Sequence, residues 1–180
     1  ESIKIVKQMN NTCLTIQGPP GTGKTYNSAR MIIELMKEGK KVGVSSNSHE
    51  AIKNLLSEIE KQSTKEKFSF KGMKKSNTTN LFEGKFIKDI IKEKPVDIGD
   101  YSLFAGTAWF FSNVRMNQTL DYLFIDEAGQ VSLANTISMA TSTKNLVLIG
   151  DQMQLSQPIK GTHEGYAKLS ALDYILEGRD

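Results

Sequence analysis

The residues best suited to phosphate chemistry form the run GPPGTGKT at positions 18–25. Their spacing matches the phosphate-binding pattern G-x-x-x-x-G-K-[ST] at every required position. Glycines let backbone N–H groups curve around phosphate oxygens, and a following helix adds positive potential from its N-terminus. The lysine reaches the β- and γ-phosphates, while the last hydroxyl ligates Mg²⁺. The predicted Mg·ATP-binding residues are Gly18, Pro19, Pro20, Gly21, Thr22, Gly23, Lys24 and Thr25.

Two other classes of nucleotide site do not fit the chain. A dinucleotide-binding fingerprint built on Gly21 and Gly23 needs a third glycine where Tyr26 stands. GTPases carry a guanine-reading Asn-Lys-x-Asp signature, which does not occur in the 180 residues. A glycine-rich turn with a chance lysine is the remaining alternative to an ATP site.

A pair of carboxylates follows a fully apolar run later in the chain. Asp126 comes directly after residues 122–125 and is followed by Glu127. At this place a first carboxylate holds Mg²⁺, commonly through water, and a second polarises the attacking water as a general base. A simple solvated strand end is the alternative. The 102 residues from Lys24 to Asp126 leave room for at least one extra strand–helix pair.

The elements that position these residues alternate between strand and helix. Apolar runs predict strands at Cys13–Gln17 and at residues 42–45, 101–106, 122–125 and 146–149. Helical spacing predicts helices from Lys24 to Gly39 and at residues 51–59, 86–91, 131–140 and 169–176, with a loose capping box of Asn47 and Glu50. Continuously apolar strands are typical of a sheet covered on both faces. We therefore predict an α/β domain with the P-loop NTPase fold: a mostly parallel sheet with helices on both faces.

Length and charge indicate one domain with a basic segment. The net charge is +3, and residues 61–97 carry ten lysines against five acidic residues. We expect residues 62–80 to form a loop or a disordered segment, and residues 62–100 to be an insert in a single domain spanning 1–180. The basic segment could meet phosphates or form a solvated surface. No apolar run reaches the roughly 18 residues of a membrane span, and a cytoplasmic location is expected.

Several conspicuous side chains have ordinary interpretations. Cys13 has no second cysteine with which to pair, and we expect a buried thiol in a strand. His49 and His163 are expected to face solvent or to cap elements, since neither has metal-ligand partners nearby. Trp109 could stack on bases, but beside an apolar strand a core position is the expectation.

The motifs together resemble those of superfamily 1 helicases. Beside GPPGTGKT, the chain carries SNSHEAIKNLL from Ser46, GTAWFF from Gly106, DEAGQVSLAN from Asp126 and GDQMQLSQP from Gly150. These runs are similar, in kind and in order, to motifs I, Ia, Ic, II and III. The branch with the greatest similarity includes the nonsense-mediated-decay helicase and the flap-processing helicase–nucleases. The amino-acid sequences of these runs are most similar to those of RecB-like nuclease–helicase proteins of bacteria and archaea.

The resemblance implies a RecA-like fold and a role for each matched residue. Gln154 would sense the γ-phosphate and, with Lys24, Asp126 and Glu127, complete the catalytic set. Gln130 would link the acidic motif to the nucleic-acid side. Small polar residues at the strand ends would contact a nucleic-acid backbone; these are Ser46, Asn47 and Thr107. Alternatively, each of these three is an ordinary cap or turn residue.

The resemblance also implies partners and departs from the family at a few positions. The resemblance favours single-stranded DNA over RNA as the partner, and it implies translocation along the strand from 5′ to 3′. The family often has an adenine-reading glutamine where Glu1 stands, and proline where Gln152 stands. The arginine-bearing motifs of a second RecA-like domain have no counterpart among Arg30, Arg115 and Arg179.

We accordingly expect the chain to be one domain of a longer helicase, without its second RecA-like domain or a nuclease domain, and nearly inactive by itself. Intact Lys24, Asp126 and Glu127 favour an ATPase or helicase over a nucleotide-gated nucleic-acid clamp. The runs at Ser46 and Gln154 favour a helicase over another P-loop ATPase such as a remodeller.

Overall fold

Seven parallel strands form a single sheet in the computed structural model, which describes residues 1–91, 98–151 and 169–177. Their order across the sheet is β1-β7-β6-β2-β5-β3-β4, and every pairing is parallel. The strands are β1 (Cys13–Gln17), β2 (Val42–Ser46), β3 (Gly72–Lys75), β4 (Ile87–Ile90), β5 (Leu103–Ala105), β6 (Leu120–Asp126) and β7 (Thr143–Gly150). The predicted α/β class and parallel sheet are confirmed.

Six α-helices connect or flank these strands in the described part of the chain. They are α1 (Ser2–Lys7), α2 (Lys24–Lys37), α3 (His49–Lys65), α4 (Ala108–Phe111), α5 (Leu133–Ala140) and α6 (Ala171–Glu177). Short 3-10 helices lie at Ile98–Asp100, Val114–Met116 and Ala128–Gln130. None of the described helices is both long and apolar enough to cross a membrane.

The sheet separates two apolar cores, as its continuously apolar strands predict. Val44, Phe124 and Val147 point to one face, where α1, α2 and α3 pack. Leu123, Ile125 and Leu148 point to the other face, which α5 and α6 help to cover. Each buried aliphatic side chain contributes roughly 1.5–3 kcal/mol. This two-sided burial holds β1, β7 and β6 side by side.

The ends of the two long helices follow simple local rules. Helix α2 ends at Lys37, and Gly39 then adopts a positive φ of 74°, a conformation that costs a glycine little. At the start of α3 the cap is Ser48, whose Oγ accepts a hydrogen bond from the Ala51 N–H at 3.0 Å. The expected Asn47–Glu50 capping box is therefore wrong by one position.

Residues 62–91 differ from the expected loop and helix. Helix α3 continues to Lys65, and β3 and β4 add two strands to the sheet edge. The carboxylate of Glu60 on α3 accepts hydrogen bonds from the N–H groups of Lys85, Phe86 and Ile87 at 2.8 to 3.1 Å. These N–H groups are thus hydrogen-bonded to α3, and β4 pairs with β3. Ile87 and Ile90 therefore lie in a strand, although their spacing is that of a helix.

One lysine of the basic segment is buried in this extension. Lys74 has no exposed surface, and its amine donates to Ser76 Oγ at 2.6 Å and to the Asn80 carbonyl at 2.5 Å. It also lies 3.7 Å from Asp89 Oδ1. Burial lowers the pKa of Lys74, and the Asp89 charge opposes that shift. Burial by itself would raise the pKa of Asp89, but N–H donors of Glu83 and Phe82, the Ser76 hydroxyl and Lys74 together lower it.

Replacing Asp89 by alanine is expected to destabilise the fold by about 3–5 kcal/mol, because the Lys74 charge would stay buried without its counter-charge. Urea unfolding followed by circular dichroism measures the change. The exposed pair of Lys71 and Asp100 provides the control: Asp100→Ala should cost less than about 1 kcal/mol. Equal, small losses in both variants would show that the buried pair does not hold this edge of the sheet.

Candidate functional site

The loop between β1 and α2 has the backbone shape that a phosphate site requires. Gly21 and Gly23 adopt positive φ angles of 81° and 79°, and Gly23 directly precedes α2. A Cβ on Gly18 would come within 2.8 Å of Thr22 Oγ1, which itself donates to the Pro19 carbonyl at 2.8 Å. Glycines are therefore needed here both for backbone conformation and for space.

The Lys24 amine lies within the curve of this loop. It donates hydrogen bonds to the carbonyl oxygens of Gly18 and, at 2.9 Å, of Pro19. Neutral carbonyls are weaker partners for an ammonium group than phosphate oxygens, because only the phosphate adds the attraction of a full opposite charge. A phosphate bound in the loop can therefore replace these carbonyls as the hydrogen-bond partner of the Lys24 amine.

Hydrogen bonding ties the loop to the neighbouring strand. The Gly18 N–H donates to the Gly150 carbonyl at 3.2 Å, at the carboxyl end of β7. Because β7 lies between β1 and β6, the ends of these three strands meet at one edge. The crevice at the carboxyl ends of a parallel sheet is where ligands bind in folds of this kind.

The predicted acidic residues are at this edge. Asp126 is the last residue of β6, and its Oδ1 accepts a hydrogen bond from the Glu127 N–H at 3.0 Å. Burial raises the pKa of Asp126, and the nearby Glu127 charge acts in the same direction. The Glu127 N–H and the Lys24 charge oppose the rise. A bound cation would favour the ionised form further.

Glu127 holds a conformation that is uncommon for a residue with a side chain. Its φ is 53°, and the 3-10 helix Ala128–Gln130 follows directly. The Gln130 N–H donates to the Glu127 carbonyl at 2.8 Å, which closes this turn. Strain of this kind costs roughly 1–3 kcal/mol and clusters at functional sites.

One cavity of about 550 Å³ collects these residues. Lys24, Thr25, Asp126 and Glu127 all line it. Sequence reasoning gave no site role to six further lining residues: Tyr26, Asn54, Glu58, Lys61, Gly150 and Asp151. Three of them lie on α3 at positions 54, 58 and 61, spaced for one helical face. That polar spacing is a signal that could have revealed them.

The donor set suits Mg²⁺ bound together with a nucleotide. Thr25 supplies a hydroxyl and Asp126 a carboxylate, and Mg²⁺ commonly takes one or two carboxylates with substrate phosphates and waters. Among the described residues, no group of three His, Cys, Asp or Glu side chains is placed to hold a metal by itself. Phosphate oxygens would therefore have to complete the coordination.

The three predicted strand contacts have different surroundings. Asn47 is exposed just beyond β2, and Thr107 is half-buried just beyond β5, the strand beside β2. The Thr107 side chain makes no cap hydrogen bond to α4. Ser46 is only 2% exposed, so its burial does not support a contact between its side chain and a nucleic-acid backbone. Gln130 is half-buried in its 3-10 helix, and Gln154 lies outside the described residues.

Other sequence expectations are corrected by burial. Trp109 is 90% exposed on α4, whereas Phe111 is buried, so the core expectation was wrong for the tryptophan. Cys13 is exposed in β1 and not buried. His49 is half-buried as the first residue of α3, burial lowers its pKa, and its Nδ1 has no hydrogen-bond partner among the described residues; His163 lies outside them.

Comparisons with known proteins agree with this geometry. The yeast (Saccharomyces cerevisiae) "DNA replication ATP-dependent helicase/nuclease DNA2" is 28% identical over 171 residues, which cover 89% of this chain and 11% of that protein. The "RecBCD enzyme subunit RecD" of Buchnera aphidicola subsp. Schizaphis graminum is 27% identical, with coverage of 90% and 26%. The chain therefore spans a small part of the length of these relatives.

Solved helicase-type structures share the fold. The arterivirus nonstructural protein 10 helicase in complex with DNA matches with a TM-score of 0.51 and 13% identity, covering 83% of this chain and 31% of that one. A nuclease-deletion mutant of the Type ISP restriction-modification enzyme LlaGI, bound to a DNA substrate mimic, matches with a TM-score of 0.53 and 14% identity. It covers 96% of this chain and 17% of that one.

The parallel sheet, the phosphate loop and the carboxylates at the β6 end define a P-loop NTPase domain with a RecA-like fold. The chain belongs to the family described as "AAA domain", whose match extends over residues 3–165.

Replacing Lys24 by alanine should weaken Mg·ATP binding roughly ten- to hundredfold, because a charged hydrogen bond contributes about 1.5–3 kcal/mol. Isothermal titration calorimetry measures the affinity. Lys144→Ala is the matched control, since it removes the same charge near the opposite end of β7, where Lys144 pairs with Asp121 at 3.0 Å. Unchanged ATP affinity in the Lys24 variant would contradict the assignment of the loop.

Proposed function

We propose that the chain is the ATP-binding and ATP-hydrolysing motor domain of a helicase or translocase that acts on single-stranded nucleic acid, DNA in preference to RNA. The observation that carries the proposal is the convergence of Lys24, Thr25, Asp126 and Glu127 on one cavity at the carboxyl edge of the sheet. The names of the relatives, which include DNA replication helicase/nucleases, favour DNA.

We assign each residue a separate role in phosphoryl transfer. Lys24 would hold the β- and γ-phosphates as a positive charge within the loop. Thr25 and Asp126 would hold Mg²⁺, which when bound neutralises charge on the phosphate oxygens. Glu127 would orient the attacking water and accept its proton. Gln154 is proposed to sense the γ-phosphate, and Gln130 to connect the acidic turn with the strand-binding side.

A strand-binding surface is proposed along the same edge of the sheet. Val44 and Ala105 pair across β2 and β5, so Asn47 and Thr107 follow adjacent strands at the same end of the sheet. Small polar side chains at such positions suit contacts with phosphates and sugars. Two residues beyond Thr107, the exposed Trp109 ring offers a face on which a base can stack.

A second RecA-like domain is the proposed partner for catalysis. Arginines complete many phosphoryl-transfer sites and are worth roughly 10³–10⁵ in rate. No arginine of the described residues lines the cavity. An arginine reaching across a cleft from a second domain would supply the missing charge.

The 180-residue chain by itself is therefore expected to bind ATP and to hydrolyse it very slowly, with little stimulation by oligonucleotide. A longer protein that includes the second domain should turn over well, and Glu127→Gln there should abolish turnover without loss of ATP binding. Steady-state phosphate release measures both. A Glu127→Gln variant within about threefold of the unaltered rate, roughly 0.65 kcal/mol in barrier, would show that Glu127 is not the base. Nucleotide-dependent strand binding without turnover would indicate a clamp instead.

Strand binding can be measured through the only tryptophan in the chain, Trp109. A single-stranded oligonucleotide should quench its fluorescence, because a base stacks on the exposed ring. Binding should weaken as salt rises, since phosphate contacts release counterions. A second variant, Asn47→Ala, should reduce the affinity for the oligonucleotide severalfold, while Trp109 stays in place as the fluorescent probe. Strand binding without any quenching would contradict the proposed path.

A further inference from the structure

A buried hydroxyl lies beside the ATPase carboxylates without a hydrogen-bond partner. Ser46 is 2% exposed, and its Oγ is among four buried side-chain atoms of the described residues that make no hydrogen bond; the others belong to Ser28, His49 and Ser63. An unmade hydrogen bond of a buried polar group costs about 1–3 kcal/mol. Native proteins rarely leave such groups unpaired, and an unseen water or a functional role commonly explains the exceptions.

The strand register brings this hydroxyl next to Asp126. Ser46 and Asp126 are paired residues of the parallel strands β2 and β6. Paired residues project to the same face, and neighbouring strands lie only about 4.8 Å apart. The preceding pair on that face, Val44 and Phe124, packs in the core beneath α2 and α3. Ser46 is therefore on the same side of the sheet as Asp126.

The adjacent serine shows that the two faces differ. Ser45 projects to the opposite face, where its Oγ contacts Met139 Sδ at 3.3 Å on α5. The Ser45 hydroxyl thus has a hydrogen-bond acceptor, whereas the Ser46 hydroxyl has none among the described residues. The unsatisfied hydroxyl of this pair is the one on the face of the carboxylate.

Asp126 has capacity for a further donor. A carboxylate offers about four acceptor positions, and Asp126 Oδ1 accepts one hydrogen bond, from the Glu127 N–H at 3.0 Å. Asp126 lines the cavity, whereas Ser46, buried beside it on the adjacent strand, does not. A hydroxyl in that position can donate to the carboxylate without competing for the face that would hold Mg²⁺.

We infer that Ser46 is a positioning residue of the ATPase site, whose hydroxyl donates to the Asp126 carboxylate when Mg²⁺ and nucleotide bind and then holds it for Mg²⁺. The inference rests on the proposed ATPase function. It assigns Ser46 to the nucleotide site instead of the nucleic-acid surface, whereas the exposed Asn47 remains a proposed nucleic-acid contact. Two adjacent residues at the end of β2 thus serve the two ligands of the domain.

The test is nucleotide binding as a function of Mg²⁺, measured on the 180-residue chain with a fluorescent, non-hydrolysable ATP analogue. Ser46→Ala should raise the Mg²⁺ concentration for half-maximal binding about three- to tenfold, as expected for one lost hydrogen bond. Ser46→Thr retains the hydroxyl and should remain within about twofold of the unaltered chain. Ser46→Cys has the same shape and a slightly larger side chain but donates weakly, and should follow the alanine variant.

A matched control separates this role from packing. Ser63→Ala removes another buried, unpartnered hydroxyl, in the last turns of α3, and should leave the Mg²⁺ response unchanged. In the absence of Mg²⁺ and nucleotide, where neither hydroxyl has a hydrogen-bond partner among the described residues, the melting temperature of both alanine variants should not fall. A shift in Mg²⁺ response without a loss of stability is not explained by a structural role.

The outcomes are distinct. If the unaltered chain shows no Mg²⁺-dependent nucleotide binding, the proposed function fails, whatever Ser46 does. If it binds and Ser46→Ala has the same Mg²⁺ response, the inference about Ser46 is overturned. It is also overturned if Ser46→Ala instead weakens oligonucleotide quenching of Trp109 at an unchanged Mg²⁺ response, because Ser46 would then be a strand contact. If the alanine variant fails to fold, the contrast between Ser46→Cys and Ser46→Thr decides in the same way.

Discussion

The parallel alignment of β1, β7, β6 and β2 is the constraint on which the rest of the domain depends. In a parallel sheet all carboxyl ends lie at one edge, so residues far apart in sequence are gathered there without long loops. Lys24 and Asp126, separated by 102 residues, reach one cavity for this reason. The hydrogen bond from the Gly18 N–H to the Gly150 carbonyl joins the phosphate loop to the same framework.

Electrostatics at this edge is arranged around a ligand with negative charge. The Lys24 ammonium is held by neutral carbonyls, which are weak partners, while burial raises the pKa of Asp126 and opposes its ionisation. Both groups would be stabilised when Mg²⁺ and phosphates bind, because each would gain a charged partner. The arrangement thus stores unfavourable electrostatic energy that nucleotide binding can release.

On the β3–β4 side of the sheet, a lysine and an aspartate stabilise the fold. There Lys74 and Asp89 lie together: Ser76 Oγ accepts from Lys74 and donates to Asp89, which also accepts from two backbone N–H groups. No described residue of this cluster lines the nucleotide cavity. The pair stabilises the two added strands, so part of a segment with many lysines contributes to the fold and not to a phosphate-binding surface.

Local chemistry determined what the sequence by itself could predict. The loop at residues 18–25, the carboxylates at 126 and 127, and the parallel sheet all follow from short-range patterns, because glycine spacing and apolar runs act on the chain nearest to them. Tertiary structure decided the features that depend on distant partners. Glu60 and β3 made residues 87–90 a strand, register put Ser46 beside Asp126, and Trp109 was left outside the core while Phe111 entered it. Burial and register are properties of the assembled sheet, and no spacing along the chain specifies them.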